Sequence, residues 1–476
     1  MTNYKEDFDS LLAIQSLESH SDDETLDIIG NLIDLSLDFE RIDGIDHALS
    51  LADEFLQKDL TKEKKALIHY FLANAWSNRR NLQRKTFSQE WEWNQEEIEN
   101  EIIHIRLAIK YGFPCKPGGA AALTPLRQCE VWTNYGNFLC EIGRVAEGIE
   151  YRDKALEIDP LFVMALGTNA QSLLGYSQDL YDDGHRGVFI KQAYLLLKKA
   201  LEGNLEIKVR EWFEKDVESI EKMSSHEFLS SDVDLNSFSL GDSEPEVKYR
   251  RWCLNNRLFL NPLNDLGPYP IGARDILSVP SIVVGIDEGP YYHGFFNQMK
   301  QEFVSARYLY YEGLNEKDPH FSDKDVRLYN TLDYPSYGLS VEKVKMAYRT
   351  TYSLFDKIAF FLNKYLGLGI REHRVNFRTL WYKDNNRKHL RDNFHHKDNL
   401  PLRALFWLSK DFYEKKAEFR NSIEPDAKDM SDIRNHLEHK YLKLHLGFWR
   451  RPDEDDPILK GLIDTLAYSR HQNEFE

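Results

Sequence analysis

Apolar residues recur at intervals of three to four through the first 200 positions. Residues 27–41 carry Ile28, Leu32, Leu35 and Phe39, residues 44–57 carry Ile45, Ala48, Leu49 and Ala52, and residues 62–78 carry Leu67, Tyr70, Phe71 and Ala75. That spacing puts each set on one face of a helix. The short polar joints between the sets predict antiparallel helical hairpins. The rhythm stops near 216–249, where residues 216–246 hold nine Asp/Glu against one Lys amid many serines. That composition predicts a linker. Residues 250–289 are rich in turn formers and hold one strand-like run, 279-VPSIVVGIDEG-289, so a small irregular or β segment is expected. Helical spacing then returns. Residues 290–313 align Phe296, Met299, Phe303, Ala306 and Tyr310. Residues 340–366, opening at Ser340 as N-cap and ending before Gly367, align Val344, Ala347, Tyr348, Thr351, Leu354, Phe355, Ile358 and Leu362. A third helix starts at Pro401 and a fourth near Asp426, the latter ending within Leu442–Phe448. The expected fold is mainly all-α: a helical-hairpin array over 1–215, a linker over 216–249, and a helical bundle over 250–476.

One segment is more specific. In 132-WTNYGNFLCEIGRVAEGIEYRDKALEIDP-160, small residues at Gly136, Gly143, Gly148 and Ala155 let two helices approach. Trp132, Tyr135 and Leu139 fill the space between them, and Pro160 stops the second helix. This segment resembles a tetratricopeptide repeat, whose period is about 34 residues. Residues 162–176 would open a further repeat, and 38–56 look like a degenerate earlier one. The resemblance implies a solenoid whose inner surface binds a protein or peptide.

Charge and composition narrow the setting. The formal net charge of −17 argues against a surface coated for non-specific nucleic-acid binding, while leaving room for a local basic pocket. Cys115, Cys129, Cys140 and Cys253 form no CxxC pair, which fits free thiols in a reducing compartment. The opening MTNYKEDFDS is acidic and lacks an apolar core, so no signal peptide is expected. With no apolar run long enough to span a bilayer, a cytoplasmic protein without a membrane partner is expected.

The chemistry concentrates near the C-terminus, in 431-SDIRNHLEHKYLKLH-445. On a helix, Asn435 and His439 share a face, and the long stem of Arg434 reaches the same side. Ile433, Leu437 and Tyr441, at i, i+4 and i+8, would anchor that helix, with His436 and Lys440 on other faces. One guanidinium, one amide and one imidazole suit phosphodiester cleavage that needs no metal and no cofactor. An imidazole moves protons near neutral pH, and an arginine holds non-bridging oxygens. A single histidine cannot act as both acid and base, whereas a symmetric dimer supplies a second. The plain alternative is a solvated helix with Arg434 paired to Glu438.

The string 434-RNHLEH-439 matches the R-N-x-x-x-H signature of the HEPN superfamily, small helical bundles many of which are dimeric RNases of toxin–antitoxin, CRISPR and phage-defence systems. The C-terminal half, with 377-FRTLWY-382, resembles the LA2681-like branch. The resemblance spans roughly 250–476. It implies a composite site at a homodimer interface built from Arg434, Asn435 and His439, and cleavage leaving a 2′,3′-cyclic phosphate. It also puts an RNA substrate and an antitoxin among the expected partners. A second match, 391-RDNFHH-396, lies in a polar run without an apolar stripe and reads as a loop. Residues 383–420 hold ten Lys/Arg against six Asp/Glu, include Phe394 and follow Trp381 and Tyr382. Cations interleaved with rings suit single-stranded RNA, so Lys383, Arg387, Lys388, Arg391 and Lys440 are candidate RNA contacts. The rival to a nuclease is an inactive adaptor, in which the repeats recruit a partner and the bundle only dimerises.

Overall fold

The computed structural model describes residues 2–83, 92–114, 119–285, 289–316, 319–329, 335–384, 389–394, 398–422, 433, 436–437, 441–445 and 467–471. Two compact units are present. The first comprises Met1–Ser278 with Phe394–Leu408 and Glu414–Glu424, and the second comprises Val279–Asn393, Ser409–Tyr413 and Pro425–Glu476.

The first unit is a run of helices in chain order: α1 (Thr2–Leu12), α2 (Asp22–Asp38), α3 (Ile42–Phe55), α4 (Lys62–Gln83), α5 (Glu96–Gly112), α6 (Pro125–Glu141), α7 (Val145–Ile158), α8 (Val163–Asp179), α9 (Asp183–Leu201), α10 (Ile207–Met223), α11 (His226–Ser230) and α12 (Glu244–Asn255). Local chemistry sets their starts. Ser21 and Glu24 form a reciprocal capping box at α2. Thr124 accepts from the Arg127 amide at α6, with Pro125 at the first turn. The three helices expected from apolar spacing over 27–78 are α2, α3 and α4, and Leu32, Ile45, Ala48 and Ile68 are fully buried in one cluster with Phe8 and Phe55.

The α6–α7 hairpin packs as its glycines require. A Cβ on Gly136 would lie 2.7 Å from the Gly148 carbonyl oxygen, and one on Gly148 would lie 2.6 Å from that of Gly136. Trp132 sits against Phe113 and Tyr151, at ring-centroid distances of 4.2 and 5.3 Å. At the turn, Gly143 has φ +92°, and a Cβ there would stand 2.0 Å from the Leu400 carbonyl oxygen. Gly143→Ala therefore combines a left-handed backbone with a backbone clash and should cost about 3 kcal/mol. Urea unfolding followed by tryptophan fluorescence checks this; an unchanged midpoint contradicts the close approach.

The stretch expected as a linker is folded. α10, α11 and α12 occupy much of 207–255, and Val217, Ile220, Leu229, Leu235 and Leu240 are buried. Widely spaced apolar anchors suffice to dock it despite its acidic, serine-rich composition. The compact units part instead at Ser278/Val279. The run 279–285 forms no strand, and Val283 is almost fully exposed. Short 3₁₀ turns at Pro262–Leu266 and Pro270–Gly272 fill the segment before it.

The second unit is built on a long hairpin of α13 (Tyr291–Asn315) and α14 (Leu339–Tyr365). Phe295 stacks on Phe360 at 5.8 Å, and Tyr292 meets Phe361 and Tyr365 edge-on. Gly313 lets the helices touch, since a Cβ there would be 2.7 Å from Val344 Cγ2. Gly338, not Ser340, is the N-cap of α14; the Ser340 side chain is buried. The chain then returns to the first unit with α15 (Leu400–Tyr413), whose Leu400–Leu408 belongs there, and α16 (Ala417–Ser422), and the second unit ends with two short strands, β1 (Tyr441–His445) and β2 (Ala467–His471). The strands pair in parallel, Tyr441 with Ala467 through His445 with His471. The fold is all-α in class, as the spacing predicted, with this one short strand pair among the described residues.

Candidate functional site

Arg434, Asn435, His439 and Lys440 lie outside the described residues. Their neighbours Ile433, His436 and Leu437 are described, and all three have helical backbone. Ile433 and Leu437 are one turn apart and buried in a cluster with Val341, Leu442 and Leu444, against which Tyr348 packs. Two i, i+4 apolar residues facing a core define one face of a helix. α14 contributes more than apolar surface, because Arg349 donates from Nη2 to the Leu437 carbonyl oxygen. A guanidinium at a carbonyl oxygen satisfies that acceptor with a charge-assisted hydrogen bond.

The expected helix does not run on to Leu442–Phe448. Tyr441 is the first residue of β1 and is exposed, so it is not the third anchor of the helix. The physical reason lies in the pairing: β2 supplies the ladder partners that hold 441–445 extended. Leu442 and Leu444 remain in the apolar cluster, and the Leu444 carbonyl oxygen accepts from the Ser336 amide at 2.6 Å.

The deciding comparison follows from this C-terminal region. The family model described as LA2681-like HEPN matches residues 283–476. These residues form an LA2681-like HEPN domain. Its start lies just inside the second compact unit, which opens at Val279, rather than at residue 250. No curated protein and no solved structure matches the chain at significance. Among the described residues no helix is long and apolar enough to cross a membrane.

The candidate RNA contacts of the HEPN domain look different in three dimensions. Arg387 and Lys388 lie outside the described residues. Lys383 pairs with Asp392 at 2.6 Å. Arg391 donates from Nε to the Leu380 carbonyl oxygen at 2.9 Å, and burial lowers its pKa. Both described cations are thus engaged within their own loop. The rings expected to stack on bases are core residues. Trp381 and Phe394 are fully buried and Tyr382 nearly so. The Trp381 indole donates to the Phe377 carbonyl oxygen, and Phe394 stacks on Trp93. Their apolar area is worth more against other rings than against solvent. Arg403 and Lys410, which helped make the stretch look basic, are buried too. The described part of the second R-x4-H match, Arg391–Phe394, is a loop with one 3₁₀ turn, as its polarity predicted.

Sequence reasoning missed Arg349. It borders the α14 apolar stripe one position after Tyr348, and nothing in its spacing marks it as a partner of the helix 88 residues later.

Proposed function

We propose that the HEPN domain is a metal-independent endoribonuclease, working as a homodimer and controlled by the N-terminal helical hairpins. The observation that supports this most is the helical backbone at Ile433, His436 and Leu437 with Ile433 and Leu437 buried. It gives the segment that carries R-N-x-x-x-H two anchors in an apolar core. In the reaction, His439 of one subunit takes the proton of a ribose 2′-OH, and the 2′-oxygen attacks phosphorus. The bond to the 5′-oxygen breaks, and that oxygen takes a proton from His439 of the second copy. The products carry a 2′,3′-cyclic phosphate and a 5′-OH. Arg434 neutralises the non-bridging oxygens, and Asn435 orients imidazole or phosphate. Dimerisation is favoured by apolar surface left incompletely buried on the α13–α14 hairpin, including Phe296, Met299, Phe303 and Ile358.

The N-terminal hairpins, tetratricopeptide-like at 132–160, bind a peptide or protein that restrains or triggers the nuclease. This arrangement suits a toxin or phage-defence enzyme in the cytoplasm. The test is incubation of purified protein with total RNA in EDTA, followed by end-group analysis. Chelator-resistant cleavage leaving cyclic phosphate supports the enzyme, and persistent silence moves the reading to the inactive adaptor.

Arg349→Ala should lower cleavage about tenfold, because loss of a charge-assisted bond worth roughly 1.5 kcal/mol loosens the segment that bears the motif. Arg349→Lys should recover part of the rate, with RNA binding nearly constant in both variants. Unaltered turnover in Arg349→Ala contradicts a positioning role.

A further inference from the structure

The first unit holds a polar groove that the nuclease reading does not use. One cavity of about 460 Å³ is lined by Asp27, Asn31 and Asp34 of α2, Tyr70 and Asn74 of α4, and Arg127, Glu130 and Asn134 of α6. A second of about 300 Å³ shares Asp34, Asn74 and Asn134 with it and adds Asn78, Glu101, Asn137 and Glu141. The shared residues make the two cavities one groove across α2, α4, α5 and α6.

Two kinds of side chain dominate. Carboxamides recur at one helical turn on α4 (Asn74, Asn78) and on α6 (Asn134, Asn137), and Asn134 Nδ2 lies 3.0 Å from Asn74 Oδ1 and 3.1 Å from the Tyr70 hydroxyl. A carboxamide offers a donor and an acceptor together, the complement of a peptide unit. The charges are five carboxylates, Asp27, Asp34, Glu101, Glu130 and Glu141, against the single lining cation Arg127. Arg127 is already paired to Glu130 at 2.6 Å, and the buried Arg80 behind the groove holds Glu101 and Glu141 at 2.6 and 2.7 Å. Asp27 and Asp34 are left to set the potential of the first cavity. Burial is the main cause that raises the Asp34 pKa, with Asp38 and Glu130 adding to it and Arg127 opposing it.

We infer that this groove binds an extended peptide segment presenting lysine or arginine, with the carboxamides taking the peptide backbone and Asp27 and Asp34 taking the cationic side chain. Phosphate-bearing ligands are disfavoured by the same carboxylates. The inference deepens the reading that the hairpins bind a peptide or protein, and names the chemistry of that partner.

The test is an array of randomised hexapeptides probed with the full chain, alongside Asp34→Asn, Asp34→Lys and Asn74→Ala/Asn134→Ala variants whose melting curves verify folding. A spermine competition arm and a 0.05 to 0.5 M NaCl series accompany it. Peptides retained by the wild type should be enriched in Lys/Arg, with at least tenfold weaker binding at high salt. Asp34→Asn should weaken the enrichment, and Asp34→Lys should turn it towards Asp/Glu. The carboxamide pair should lower retention of all peptides without changing the preferred charge. Retention with no Lys/Arg enrichment, or an enrichment that Asp34→Lys leaves intact, overturns the charge assignment while sparing the peptide reading. No retention of any peptide overturns both. Displacement of bound peptide by micromolar spermine, with no carboxamide effect, replaces the peptide with a polyamine.

Discussion

His439→Ala and Arg434→Ala should each lower RNA cleavage by at least about 100-fold. A positioned general acid–base group contributes typically 10²–10⁴, and one donor at a developing oxyanion about 10²–10³. At about 1.4 kcal/mol per factor of ten, each loss is at least about 3 kcal/mol of transition-state stabilisation. The two variants should differ in kind. His439→Ala removes proton transfer and should retain RNA in a gel-shift assay. Arg434→Ala also loses a phosphate contact and should bind more weakly, with a flatter salt dependence. Sedimentation must show an unchanged assembly in both, because a lost dimer would mimic a lost catalyst. Rates within a factor of three of wild type, in a preparation that cleaves, would falsify the composite site.

A second large effect concerns acid. His69 on α4 and His104 on α5 place their Nδ1 atoms 3.0 Å apart, with Tyr111 stacked on His69. Burial lowers both, His69 to about 3 with further repulsion from His104, and His104 to about 4. Two neutral rings share one proton between them comfortably, whereas two imidazolium rings would set N–H against N–H. The unfolded histidines titrate near 6.5, so from there downward the unfolded chain binds protons that the folded pair refuses. Stability contributed by the pair is present above pH 6.5 and falls as pH drops towards 4. At pH 5 the loss is on the order of 2 kcal/mol for each histidine held neutral.

Asp265 works the other way. Burial raises it to about 6, so it takes up a proton in the folded state first and recovers some stability over the same range. The wild-type urea midpoint should still fall between pH 7 and 5. In His69→Leu/His104→Leu the fall should vanish or reverse, whatever the variant's stability at pH 7. An equally steep fall in the double variant rules out the pair as the acid-labile element.

The sequence revealed the helices wherever one apolar stripe met one core. Leu32, Ile45 and Ala48 announced α2 and α3 because they sit on a 3.6-residue period and are buried together. Composition misled where a few anchors were enough: Leu229, Leu235 and Leu240 dock a stretch whose average is that of a linker. β1 escaped notice because Leu437 and Tyr441 fit a helical period as well as Tyr441–His445 fits a strand, and its partner begins only at Ala467. For the candidate site, spacing picked out Arg434, Asn435 and His439 and foresaw the anchors Ile433 and Leu437. It did not reveal that Trp381 and Phe394 face inward, because residue type alone cannot tell a stacking platform from a core ring. Arg349 was hidden because its contact joins backbone and side chain across distant helices.

The packing of Trp93 has a consequence in time. Its rings of contact are Phe394 and Phe406, at 5.6 and 5.9 Å, roughly 300 residues further along the chain. At about 5–20 residues per second of synthesis, Trp93 waits roughly 15–60 s for the side chains that cover it. The first unit therefore begins first and finishes late, and a nascent chain held at residue 278 has an open aromatic seat for a chaperone.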